Sequence, residues 1–185
     1  MVKLDKPTDF LFCQIIQRKK EHPELGSNNR VIKTYYIYSN NDLLNKYKPE
    51  IIKLCEAFNA RAYIHLVPRD SNRLALETLR STAEKIANGQ QRDVKNVYNT
   101  VCGQYPSKDY EKLWIVDIDT KDINVLNQIE FDISQIEPIG GKTKGVIPTK
   151  SGFHLITKPF NSQIFGMRHP EIEIHKNNPS LLFIP

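Results

Sequence analysis

Several short stretches of the chain are rich in apolar residues, and in two of them, 60–67 and 171–175, apolar and polar residues alternate as is typical of half-buried β-strands. Their enrichment in β-branched and aromatic residues supports the same assignment. We predict strands over residues 10–18, 30–39, 60–67, 113–118, 145–156, 171–175 and 181–184. The fifth of these is expected to break into two strands at a turn. The run at 113–118 is apolar on both faces, so we expect it to be a central strand.

Other segments carry apolar residues at helical spacing. They predict helices over residues 43–58, 71–88, 94–101 and 122–136. Pro49 is expected to kink or split the first helix. Asp70 and Ser71 offer a cap for the second helix, which stops near Gly89. The apolar residues of this second helix are Leu74, Leu76, Leu79, Ala83 and Ile86.

Because strands and helices are mixed and hairpins come late in the chain, the sequence predicts an α+β fold with a mostly antiparallel sheet flanked by helices. The length of 185 residues suits one domain. No change in composition divides the chain sharply, so we expect a single domain.

Composition and sequence pattern indicate a globular protein without a membrane-spanning helix. Hydrophobic residues make up 39% and charged residues 25%, the range of soluble globular proteins. No apolar run approaches the roughly 18 residues of a membrane-spanning helix, and the first seven residues lack the pattern of a secretory signal. Cys13, Cys55 and Cys102 do not make a disulfide framework, so we expect buried thiols and a cytoplasmic location. The net charge of +5 permits a polyanionic partner without requiring one.

Two carboxylates end the apolar strand in the stretch 114–119 (WIVDID). Residues two apart on a strand point to the same side, so Asp117 and Asp119 are close enough to repel each other. A divalent cation would relieve this repulsion, and oxygen ligands of this kind suit Mg²⁺ or Mn²⁺. The alternative is a turn in which Asp119 and the residues after it only cap the next helix.

A second candidate lies at 148–156, where a glycine-containing turn leads into a short strand with one histidine. Lys150, Ser151 and the backbone at Gly152 could receive a phosphate, to which His154 would donate a hydrogen bond. The alternative is an ordinary hairpin in which His154 is a partly buried side chain.

The third candidate is the stretch 171–175 (EIEIH), in which two isoleucines alternate with Glu171, Glu173 and His175. We expect the isoleucines to face the core and the polar side chains to share the other side. A carboxylate on this strand would complete a metal site with the acidic pair. The alternative is an edge strand with a solvated, charged face.

A fourth group lies on the predicted strand 60–67, where Arg61, Tyr63 and His65 share the face opposite to the apolar one. If helices cover the apolar face, the polar face is left free to line a groove for template or nucleotide. Arg61 and Arg69 would then each contact a phosphate. A solvated face without a ligand is the alternative.

Together these segments resemble the archaeo-eukaryotic primase (primase-polymerase) superfamily, and its plasmid- and phage-type cores in particular. That superfamily carries an acidic pair after an apolar strand, then a small-residue turn ending in histidine, then another apolar strand with one acid. The matching residues here are Asp117 and Asp119, the stretch 151–154 (SGFH), and Glu173, which stands where the superfamily usually has aspartate. The resemblance covers residues 113–185.

The resemblance implies a primase-polymerase-like domain over residues 1–185, with an N-terminal module at 1–110 and the acidic motifs in a module at 111–185. It implies a metal-dependent nucleotidyltransferase, a DNA primase or polymerase core acting in the replication of a phage, plasmid or other mobile element. Two ions, Mg²⁺ or Mn²⁺, would serve nucleotidyl transfer. The implied metal ligands are Asp117, Asp119 and Glu173, and the implied catalytic residues are these three and His154.

The implied partners are nucleoside triphosphates and a single-stranded or primed nucleic acid, with a helicase or other replication protein as a further partner and no membrane. The nucleotide-binding residues would be Lys150, Ser151, His154, Arg61 and His65. Two other functions fit the same residues. One is a non-catalytic nucleic-acid- or nucleotide-binding module of this fold, and the other is a metal-dependent nuclease.

Overall fold

A computed structural model of the chain describes residues 3–185. Its internal contacts divide the protein into two compact units. The first unit runs to Tyr110 and takes back the last five residues, Leu181–Pro185, while the second unit is Glu111–Ser180. Each unit is described by itself below.

The first unit is built on the long strand β1 (Asp9–Gln17). β1 pairs with β2 (Arg30–Ile37) on one side and with β3 (Arg61–Ile64) on the other, both antiparallel. The two-residue strand β4 (Arg69–Asp70) pairs with the beginning of β1. Because it has partners on both sides, β1 is buried along most of its length.

Helical turns follow β2 in three adjoining pieces: α1 (Asn40–Asp42), a π-helical segment (Leu43–Tyr47) and α2 (Lys48–Phe58). The predicted irregularity at Pro49 takes the form of this π-helical segment. Pro49 itself lies in the first turn of α2 and has no N–H to donate back to the preceding turn. A 3₁₀ turn (Pro23–Leu25) lies in the loop between β1 and β2.

The remaining helices of this unit are α3 (Ser71–Ala87) and α4 (Val97–Gln104), joined through a 3₁₀ segment (Gln91–Asn96). The predicted cap of α3 is confirmed, since the Asp70 carboxylate accepts a hydrogen bond from the Asn72 N–H at 2.9 Å.

Alternate side chains of β1 supply two separate cores. Leu11, Cys13 and Ile15 pack in a cluster with α2 and the neighbouring strands, whereas Phe10 and Phe12 pack in a second cluster with residues of α3 and α4. The period of two along a strand therefore puts helices on both faces of this sheet.

The second unit contains β5 (Trp114–Ile118), α5 (Ile123–Ser134), β6 (Thr143–Pro148), β7 (Phe153–Thr157), α6 (Ser162–Arg168) and β8 (Glu173–His175). The sheet order is β6-β7-β5-β8, with antiparallel neighbours, so β5 is an interior strand as predicted. Val116 and Ile118 join the apolar core with α5 and α6. Asp117 therefore points to the side of the sheet opposite to that core.

A buried lysine closes the end of α5. The Lys142 ammonium donates to the carbonyls of Ile133 and Ile136, both at 2.8 Å, and of Gly140 at 3.1 Å. A cation at this end of a helix satisfies carbonyls that have no partner within the helix. Burial lowers the pKa of Lys142.

The last strand, β9 (Ser180–Phe183), returns to the first sheet, whose order is β2-β1-β3-β9. The predicted α+β class with antiparallel pairing is confirmed, but there are two sheets where one was expected. The sequence also did not indicate β4 or α6. Cys13, Cys55 and Cys102 are free and buried, as predicted. Within residues 3–185 the helices are all too short or too polar to cross a lipid bilayer.

Candidate functional site

Three of the candidate residues occupy one row across the second sheet. Asp117 on β5 is the direct pairing partner of His154 on β7 and also of Glu173 on β8. Directly paired residues project to the same face of a sheet, with Cβ atoms about 5 Å apart. The antiparallel register therefore places an imidazole and a second carboxylate on either side of Asp117.

The Asp117 carboxylate lies between two imidazoles. His154 Nε2 is 3.6 Å from Asp117 Oδ1, and His175 Nε2 is 3.9 Å from Asp117 Oδ2. Both separations exceed the length of a normal hydrogen bond, so the groups are adjacent without being bonded. The Asp117 side chain is 30% exposed, which leaves it open to a ligand from solvent.

His154 is fixed from its other nitrogen. Its Nδ1 is 3.2 Å from the hydroxyl oxygen of the buried Ser180. Burial lowers the pKa of His154, and the neighbouring Asp117 and Asp119, which act in the opposite direction, do not overcome that effect. The imidazole is therefore mainly neutral at pH 7, with a lone pair available for a metal ion or a proton.

His175, which the sequence placed beside Glu173 without assigning it a role, and Ser180, which the sequence did not indicate, both belong to this site. His175 Nε2 is 3.6 Å from Glu173 Oε2, so a single nitrogen stands between the carboxylates of Asp117 and Glu173. The alternation of the stretch 171–175 indicates that His175 lies on the same side as Glu173, and this pattern is the sequence feature by which His175 could be assigned to the site. Ser180 has no comparable signal, because a lone serine before a strand is common.

Asp119 lies just beyond the end of β5 and is exposed. Its Oδ1 accepts a hydrogen bond from the Ser151 hydroxyl at 3.1 Å. Ser151 and the exposed Lys150 belong to the turn between β6 and β7, where the Thr149 N–H donates to the Gly152 carbonyl at 2.8 Å. The structure thus brings the second acid and the turn together.

Gly152 sets this contact. A Cβ atom at this position would lie 1.8 Å from the Ile118 carbonyl oxygen and 2.7 Å from the Thr120 nitrogen. Both are backbone atoms, and moving them to make room for a side chain would cost considerable free energy. Only glycine therefore lets the turn approach the end of β5 this closely. The sequence predicted for Gly152 only backbone freedom to bind a phosphate, because the packing role depends on a contact with residues more than 30 positions away.

The donor set is mixed. Oxygen ligands from Asp117 and Glu173 suit Mg²⁺ or Mn²⁺, and the imidazoles of His154 and His175 favour a transition-metal ion. Among the described residues no three His, Cys, Asp or Glu side chains already stand in the arrangement of a metal site. Glu173 is the most exposed member of the row, with 78% of its side chain in solvent.

Arg61 and His65 belong to the first unit. Arg61 forms an ion pair with Glu21. β3 ends at Ile64, and His65 is only 8% exposed, with its ring 5.5 Å from that of Phe12. The expectation that His65 lies on an open polar face is therefore wrong, because its Nδ1 accepts a hydrogen bond from the buried Arg69 at 2.7 Å.

Arg69 is fully buried, which excludes the predicted phosphate contact at this residue. Its guanidinium donates to the carbonyls of Val67 at 2.6 Å and Cys102 at 2.5 Å. Burial lowers the pKa of Arg69 to about 10, which leaves it protonated at neutral pH. Arg69 is a structural cation that ties β4 to the end of α4.

Comparisons of this chain with protein-family models, with curated proteins and with solved structures gave no match.

Proposed function

We propose that the second unit is a metal-dependent nucleotidyltransferase centre of the primase-polymerase kind, acting on nucleoside triphosphates and a single-stranded or primed nucleic acid. The observation that carries the proposal is the cross-strand row, in which Asp117 has His154 and Glu173 as its two direct pairing partners. The order of the three motifs in the sequence and their meeting on one face of one sheet are what such a centre requires.

Asp117, Asp119 and Glu173 would hold Mg²⁺ or Mn²⁺, and His175 is a further ligand by its position between two of these carboxylates. When bound, the ions would acidify the attacking 3′-hydroxyl and stabilise the charge that develops on the α-phosphate. The imidazole nitrogens lead us to expect stronger binding of Mn²⁺ than of Mg²⁺.

The residues around the row have separate tasks in this proposal. The exposed Lys150 offers a positive charge to the triphosphate, and neutral His154 offers a hydrogen-bonding nitrogen. Ser151 holds Asp119 in place through its hydroxyl. The net charge of +5 favours association with a nucleic-acid backbone.

Metal binding is tested first, by titrating Mn²⁺ and following the free ion by electron paramagnetic resonance. Asp117→Asn and Glu173→Gln should each weaken binding at least tenfold, because each removes a charged ligand. Glu171→Gln is the matched control: Glu171 is exposed, lies two residues from Glu173 and contacts His169 rather than Asp117. Equal affinities in all four proteins would contradict a site at this row.

Activity is tested next, by incorporation of labelled nucleotides on primed and unprimed single strands with Mn²⁺. Asp117→Ala should abolish incorporation, whereas Glu171→Gln should keep it. Nucleotide or nucleic-acid binding without incorporation by the wild type would favour the non-catalytic module instead. Metal-dependent shortening of the strands, lost in Asp117→Ala, would favour the nuclease.

A further inference from the structure

The first unit contains an apolar cavity of about 360 Å³. Its walls are mainly leucine and isoleucine side chains from β1, the π-helical segment, α2 and the end of the chain, among them Leu44, Ile52 and Leu182. Lys48 and His65 also line it, and they are the two residues with polar side chains among its described lining residues. A concave apolar site with a few placed polar groups is the usual form of a small-molecule site.

His65 contributes a hydrogen-bond donor to this cavity. Arginine has only donors, so the Arg69 guanidinium fixes His65 Nδ1 as an acceptor and leaves the ring proton on Nε2. Burial and the charge of Arg69 lower the pKa of His65 to about 3, so the ring remains neutral. Within the described part of the chain this Nε2–H has no hydrogen-bond partner, and it is not one of the fully buried unpaired polar atoms, so it is accessible to a ligand or to water.

Lys48 contributes a positive charge at the same cavity. It is exposed, and residues 3–185 provide no ion pair or hydrogen bond for its ammonium group. The cavity therefore offers a cation and a neutral donor but no acceptor side chain. A ligand that satisfied both groups would carry an acceptor, and an anionic acceptor would suit Lys48 best.

The volume limits the size of the ligand. At about 360 Å³ the cavity lies near the lower end of the range of about 300–1,000 Å³ that is usual for small-molecule sites, so it suits a ligand smaller than a typical drug-sized molecule. From the volume, the apolar walls and the two donors together, we infer that this cavity binds a medium-chain aliphatic monocarboxylate. The carboxylate lies at Lys48 and His65, and the chain lies among the leucine and isoleucine side chains.

This site is independent of the proposed nucleotidyl transfer, since its lining residues all belong to the first unit. Sodium decanoate, with ten carbons and two oxygens, is the probe that fits the volume. For a ligand of this size the dissociation constant is expected to be on the order of 100 µM. Decan-1-ol tests the role of the charge, and butanoate tests the role of the chain.

The experiment is a titration of the isotope-labelled chain followed by amide NMR shifts. We expect saturable shifts at Leu44, Ile52 and Leu182 with decanoate and none with butanoate. Lys48→Met should weaken decanoate about tenfold and leave decan-1-ol unchanged. Lys46→Met is the matched control, because Lys46 is also exposed, lies two residues away and does not line the cavity.

A second pair of variants places an acidic side chain either in the wall of the cavity or outside it. Leu44 is 46% exposed, so Leu44→Glu should fold and should repel the carboxylate, weakening decanoate at least tenfold. Leu76→Glu adds the same charge on α3, outside the cavity, and should leave the affinity unchanged. The inference is overturned if decanoate causes no saturable shifts at the lining residues up to 1 mM (about ten times the expected constant). It is also overturned if Lys46→Met and Lys48→Met weaken decanoate equally.

Discussion

Replacing Gly152 by alanine tests the close approach that joins the turn to the end of β5. The new Cβ would lie 1.8 Å from the Ile118 carbonyl oxygen. A carbon and a carbonyl oxygen in contact are about 3.3 Å or more apart, so backbone atoms would have to separate by about 1.5 Å. The obstructing atoms belong to a strand end and its following loop rather than to a flexible side chain.

The expected loss of stability follows from that displacement. Overpacking with one carbon typically costs 1–3 kcal/mol, and a clash with backbone lies at the upper end. We therefore expect Gly152→Ala to lower the free energy of unfolding of the second unit by about 3 kcal/mol. With a urea m-value of about 1 kcal/mol/M, the midpoint would fall by about 3 M.

The single tryptophan makes the measurement specific, because Trp114 lies on β5 and packs against the core of the second unit. Urea unfolding followed by its fluorescence reports this unit. Gly166→Ala is the matched control: Gly166 is exposed on α6, and a Cβ there meets nothing within 4 Å. Alanine in a helix should stabilise by about 0.5–1 kcal/mol. A Gly152→Ala midpoint equal to that of the wild type would refute the packing argument, and a loss in both variants would show that the two sites do not differ.

Three further predictions follow from burial in the two units. Leu74→Ala should cost the first unit about 3 kcal/mol in thermal unfolding, whereas Leu79→Ala, at a residue 68% exposed, should cost less than about 0.5 kcal/mol; equal losses would contradict the observed orientation of α3. Arg69→Met should lower the free energy of unfolding by about 3 kcal/mol because it leaves buried carbonyls without donors. Arg80→Met, on the surface, should change that free energy little. If Arg69→Met left the stability unchanged, those carbonyls would have found other partners. Burial holds the pKa of His154 below its ordinary value of 6.5, so at acidic pH the folded protein binds fewer protons than the unfolded chain. The stability that this group contributes is therefore complete above pH 6.5 and is lost as the pH falls through the lowered pKa. His154→Gln should flatten the acid limb of the stability curve, and a His154 NMR titration midpoint at or above 6.5 would contradict the sign.

Much of the secondary structure could be predicted because local patterns determined it. The apolar composition of the stretch 10–18, rich in Phe, Leu and Ile, and the cap at Asp70 are visible in the sequence, and both the strand and the cap appear in the structure. Helix α3 shows the limit of this reasoning. Its apolar residues recur at helical spacing, but Leu74 is buried while Leu76 and Leu79 are 70% and 68% exposed. Periodicity identifies an apolar face without saying whether another element covers it.

The candidate site was predictable to the extent that it depends on side-chain type and alternation. The acids and the histidine were identified from their residue types, but their meeting depends on the register between β5, β7 and β8, which no local pattern specifies. His65 illustrates the opposite failure. Its place in an alternating stretch indicated an open face, and a long-range contact with Arg69 buried it instead.

The chemistry of the site and the stability of the second unit share one structural cause. β5 is the interior strand, so its core-facing residues hold α5 while Asp117 between them faces the row with His154 and Glu173. A one-residue slip of β7 or β8 would turn a core side chain toward the row and a polar one into the core. Hydrophobic burial therefore enforces the register that places the imidazole and the second carboxylate beside Asp117. Gly152 fixes the position of the turn relative to the end of β5. The turn carries Ser151, and it reaches Asp119 only while its backbone lies against that of Ile118.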